Sequence, residues 1–89
     1  DSLCESCGML FLLNGTDRPQ FWMKNTTIPL DIIFIKDQTV VDIFHAIPCK
    51  GRCRLYVPDE DANRVLETNI YTFNESIVGE EVKVSPFID

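Results

Sequence analysis

The sequence predicts a small, mainly β, single domain of barrel or sandwich-like form with little helix. Three observations carry that reading. The chain has 89 residues, enough to bury about 60–65% of the surface its unfolded form exposes and so to build one thin core. Apolar residues make up 45% and charged residues 25%, which is ordinary for a folded domain and argues against disorder. Turn-forming residues recur at short intervals, and the segments between them are short and rich in β-branched and aromatic side chains.

Taken in order, residues 9–13 form an apolar run that ends at Asn14-Gly15, a turn signal. Residues 17–19 extend that loop, and residues 20–23 read as a short strand with aromatics. Residues 30–35 are strongly apolar after Pro29. Lys36-Asp37-Gln38 is a tight connection, and residues 39–47 return as a strand with partial alternation. The stretch from 30 to 47 is the clearest hairpin in the chain. Residues 48–51 interrupt it. Residues 54–57 read as a short strand stopped by Pro58. After Asp59-Glu60-Asp61, which suits either a helix N-terminus or a solvated loop, residues 64–68 fit a strand or part of a helix. Residues 70–76 have room for one helical turn. Residues 78–84 read as a closing strand bent at Gly79. Six or so short strands result, in one domain spanning 1–89, with 1–7 and 85–89 as extended tails.

Charge limits the function. The formal net charge is −6, and the eight Lys and Arg are scattered along the chain. Phosphate contacts need clustered positive charge, so nucleic acid is not an expected partner. No apolar run reaches the ~18–20 residues of a membrane span, so no transmembrane segment is expected.

The four cysteines come as two close pairs, Cys4-Glu5-Ser6-Cys7 and Cys49-Lys50-Gly51-Arg52-Cys53. Two disulfides fit an oxidising compartment. Four thiolates on one tetrahedral zinc are the alternative; otherwise no cofactor is expected. Asn14, Asn25 and Asn74 each begin a glycosylation sequon. Five Asn and ten Ser or Thr give roughly half a sequon by chance, so three exceed expectation. Together with the cysteines, the sequons lean the chain toward an extracellular or cell-envelope location, with N-linked glycans as candidates.

One segment stands apart: Phe21-Trp22-Met23-Lys24-Asn25-Thr26-Thr27-Ile28-Pro29-Leu30-Asp31. Trp22, Lys24, Asn25 and Asp31 crowd polar chemistry beside an indole and form the candidate ligand site, with Lys24 and Asp31 as a potential pair. The only histidine, His45, lies in an apolar strand and reads as a structural residue. No Ser stands in a nucleophile elbow. Asp31, Asp42 and Glu67 could serve carboxylate-pair hydrolysis only if two of them converge. The balance leans away from an enzyme.

The segment at 21–31 resembles the F-W-M-K-N-T-x-x-P-L-D signature of an uncharacterised prokaryotic family, domain-of-unknown-function family one hundred and ninety-two. The resemblance continues through Ile32-Ile33-Phe34-Ile35, Val40-Val41 and Ile47-Pro48-Cys49, and takes in Gly8-Met9-Leu10-Phe11 and Val65-Leu66-Glu67. It departs where the family carries Asn-Ala-Gly and a short helix; Thr68-Asn69-Ile70 stands here. Gly79-Glu80 replaces the family's Gly-Asp, a turn similar to that of cradle-loop barrels. The resemblance implies a compact β-rich domain, often exported, and no established reaction. The expected function is a non-enzymatic exported or envelope-associated binding or structural domain. A protein partner or self-association is its expected mode, the latter by β-strand addition with the tails as donors. The alternatives are a ligand-binding or hydrolytic site around 22–31 and a zinc-stabilised module.

Overall fold

The computed structural model describes residues 3–4 and 7–83. Four strands form one antiparallel sheet: β1 (Gly8–Asp17), β2 (Leu30–Lys36), β3 (Thr39–Ala46) and β4 (Ala62–Asn69), in the order β1-β4-β2-β3. A single 3-10 turn, Glu75–Ile77, is the helical content of the described residues. The chain is mainly β with little helix, as the sequence predicts.

The predicted hairpin is β2–β3. Asp37 turns it with φ +58°, a left-handed conformation that Asp tolerates better than most residues. The register slips between Phe34 and Ile35, so a bulge sits near the hairpin end. β2 lies between β3 and β4 and is buried from Leu30 to Ile35. That explains its unbroken apolar run: a central strand covered on both faces has no solvent side to alternate with.

One face carries the main core, in which Leu30, Ile32 and Phe34 pack with Met23, Tyr56 and Val65. Phe11, Phe21, Phe34, Phe44 and Tyr56 link across it as successive edge-to-face pairs, with centroids 5.6–5.9 Å apart. Such pairs contribute about 0.5–1.5 kcal/mol beyond their buried area. The other face holds Ile33, Ile35, Val40 and Ile43, against which Ile77 and Val82 pack.

Four expected elements differ. β1 does not stop at Asn14-Gly15 but runs to Asp17, with its register broken between Leu12 and Asp17. Gly15, at φ +75°, supplies an irregular step within the strand rather than a reversal. The short strands expected at 20–23 and 54–57 reduce to one bridge, Phe21 with Tyr56. The closing strand reduces to a bridge between Thr39 and Glu81; residue 84 lies outside the described residues. The segment 64–68 is strand, within β4. Of the two tails, residues 1–2, 5–6 and 85–89 lie outside the described residues.

Candidate functional site

Residues 18–30 arch over the main-core face. Phe21 and Tyr56 exchange two backbone hydrogen bonds, at 3.1 and 2.7 Å, which fix the arch to the 54–57 segment. Met23 is buried in the core, and Thr26 N–H donates to its carbonyl at 3.1 Å. That closes a turn in which Asn25 holds φ +65°. Asn is one of the few residues that occupies this region readily.

Asn25, Thr26 and Thr27 are a partition between two clefts. One, of about 390 Å³, is floored by Leu30 and Glu67 and bounded by Leu3, Met9 and Ile28. The other, of about 790 Å³, is bounded by Pro48, Cys49 and Lys50. Glu67 is the distinctive group. It is only 8% exposed, and its carboxyl is held above the usual carboxylate range by burial alone. Among the described residues no cation or N–H is placed to offset that burial. No side-chain oxygen among the described residues is both buried and unbonded, so the Glu67 carboxyl still meets water at the cleft, and a donor entering the cleft would take the place of that water.

Asp31 is treated differently. It is fully buried on the opposite face and accepts hydrogen bonds from Tyr71 N–H and Phe73 N–H, both at 2.9 Å. His45 Nδ1 lies 2.6 Å from Asp31 Oδ1, and the imidazole packs at a 50° tilt against the Tyr71 ring with centroids 4.8 Å apart. This pairing is local and structural. It ties the chain after β4 back onto β2.

The cysteines are joined as Cys4–Cys7 and Cys49–Cys53. Each pair closes its own short loop. Among the described residues no group of three or more His, Cys, Asp or Glu is placed to hold a metal ion. No helix among them is long and apolar enough to cross a membrane.

Residues 1–85 match the DUF192 family, described as "Uncharacterized ACR". The chain belongs to the DUF192 family. Two solved structures resemble it. One is a protein of unknown function from Novosphingobium aromaticivorans DSM 12444, 39% identical over 79% of this chain and 50% of that one, with a TM-score of 0.67. The other, from Sinorhizobium meliloti 1021, is described as a "putative transcription regulator"; it is 35% identical over 78% of this chain and 54% of that one, also with a TM-score of 0.67. The chain spans about half the length of each of these relatives. No curated protein matches it.

Of the four residues expected to form a ligand site in this DUF192 chain, Asn25 lines both clefts. Trp22 is 54% exposed, and the Lys24 ammonium stands 5.3 Å from its ring centroid. The expected pairing of Lys24 with Asp31 is not made. Along a strand successive side chains point to opposite faces. Leu30 faces the arch, so Asp31 faces away from it. Nor do Asp31, Asp42 and Glu67 converge: Asp31 binds the 71–73 turn, Asp42 accepts from Ile43 N–H and Asp59 N–H, and Glu67 faces its cleft. Sequence reasoning gave Glu67 only as a possible member of a pair. Its strand, Ala62–Asn69, mixes polar and apolar residues, so the sequence does not single Glu67 out; its placement depends on the β2–β4 register, which sets Glu67 opposite Ile32.

Proposed function

We propose that the domain is a non-enzymatic, exported, envelope-associated binding domain whose ligand seats in the cleft beside Glu67. The observation that carries this is Glu67, an acid with no ion-pair or hydrogen-bond partner among the described residues, whose carboxyl opens on a cleft walled by Asn25 and two threonines. The chemistry favours a small ligand with a cationic or strongly donating group for the carboxyl and a modest apolar body for Leu3, Met9 and Ile28. Two disulfides in a chain this short support export.

A thermal-shift panel of small amines, amides, alcohols and carboxylates tests the reading. Amines and amides are expected to raise the Tm of the native chain and to lose that effect in Glu67→Leu. If no compound shifts the melt, or the Leu variant responds equally, the cleft is not the site. Asn14, Asn25 and Asn74 are all exposed and open to glycans. An intact mass from a glycosylating host reports which are used; a glycan on Asn25 would occupy the cleft wall and exclude this reading.

A second reading is self-association, favoured by one observation. β1 is an edge strand, with Met9, Leu10, Phe11 and Leu12 between 36 and 72% exposed. Such an edge accepts a strand from a neighbouring protein or a second copy. A strictly monomeric chain by light scattering at high concentration would remove it.

A further inference from the structure

Charge is not evenly spread over this molecule. Residues 18–30 and 43–58 contain five of the eight cations and none of the fourteen carboxylates, a charge of +5, while the rest carries −11. The two segments are far apart in sequence, so their charges read as scattered. The Phe21–Tyr56 bridge joins them into one lobe, and Arg18 Nε donates to the Pro58 carbonyl at 2.9 Å, holding its ends together.

Within the lobe the cations differ. Arg54 lies over the rings of Tyr56 and Phe44, at 4.7 and 5.5 Å, and faces Asp42 and Glu75 across a small cleft. Lys24, Lys50 and Arg52 are exposed and make no ion pair among the described residues. Lys50 and Arg52 stand on the loop that Cys49–Cys53 closes, turned at Gly51 with φ +73°. The disulfide presents both charges on a short, constrained loop, which lowers the entropy lost on binding. Large apolar side chains are exposed among them: Trp22 at 54%, Leu55 at 50% and Ile47 at 61%. The bridge register sets Trp22 opposite Leu55.

We infer that this lobe docks on an anionic phospholipid surface. A soluble polyanion needs the cations alone and leaves three large apolar side chains in water. A bilayer takes both sets: headgroups pair with Lys and Arg, Trp favours the interface, and aliphatic tips reach the acyl boundary. The −11 elsewhere on the molecule is repelled by the same surface, so the lobe is oriented toward it. The inference goes beyond the Glu67 cleft and does not depend on it.

Vesicle sedimentation with phosphatidylglycerol-containing and pure phosphatidylcholine vesicles tests it, read together with the emission of Trp22, the sole tryptophan. The expected result is binding to the anionic vesicles with a blue shift, weakening as salt rises. The double variant Lys50→Gln/Arg52→Gln should bind about thirtyfold more weakly, the value of two surface cations. Trp22→Ala should also weaken binding, whereas Lys83→Gln and Glu67→Gln should not. Failure to bind anionic vesicles, or equal binding to neutral ones, would overturn the assignment. So would tight binding of polyphosphate or duplex DNA with no blue shift on vesicles, which would give the lobe to a soluble polyanion.

Discussion

Asp31 and Glu67 are two buried acids on adjacent rungs of paired strands: Asp31 stands opposite Thr68, and Glu67 opposite Ile32. They face opposite sides of one sheet and have opposite fates. Asp31 has two backbone N–H donors and an imidazole, so burial strengthens every bond it makes. Glu67 has most of its surface covered, yet its carboxyl still meets solvent at the cleft, and burial shifts it toward its neutral form. The difference teaches that a buried carboxylate by itself says little. What surrounds it separates an acid that holds the fold from one that waits for something to bind.

Three substitutions break or sharpen that contrast. Asp31→Ala should be the most damaging, at about 3–5 kcal/mol in urea unfolding, because it strands two backbone donors and a histidine. A loss below about 1 kcal/mol would mean the 71–73 turn is not held as described. Glu67→Gln should do the reverse and stabilise the chain at neutral pH by on the order of 1 kcal/mol. The sign follows from linkage. A carboxyl whose folded pKa is raised binds protons more tightly in the native state, so the native chain loses stability as pH climbs through the folded pKa. Below the ordinary Glu range both forms are neutral and the two proteins should melt alike. A Gln advantage that persisted there would point to packing instead. The smallest effect is expected from His45→Gln, under about 1 kcal/mol, since the imidazole is part-exposed and Asp31 keeps both backbone donors.

Much of this was legible in the sequence. The β2–β3 hairpin follows from an apolar run, a Lys-Asp-Gln connection and a partly alternating return. At 64–68 the sequence leaves strand and helix open, and pairing with both β1 and β2 decides for strand. Asn14-Gly15 misled because the same dipeptide that reverses a hairpin also serves an irregular step within a strand, and only the β4 partner distinguishes them. The aromatic segments at 21 and 56 were too short to form a ladder and exchange one pair of bonds. At the site, Asn25 was legible from its motif. The Lys24–Asp31 pairing was not, because a one-residue change of face reverses it. The clustering of positive charge was hidden for a related reason: it exists only once residues 21 and 56 meet.

The strand order has a consequence for how the chain comes together. β1 is first along the chain yet its partner, β4, ends at Asn69 and is the last strand made. The β2–β3 hairpin can close locally, whereas β1 has no strand partner until β4 has been made. A chain emerging in sequence therefore carries Met9-Leu10-Phe11-Leu12-Leu13 without its strand partner until Asn69 has been made. That interval is when a nascent chain is open to a chaperone, to export machinery or to aggregation. The apolar strand at the edge of the finished sheet is thus also the strand that waits longest for its partner in the unfinished one.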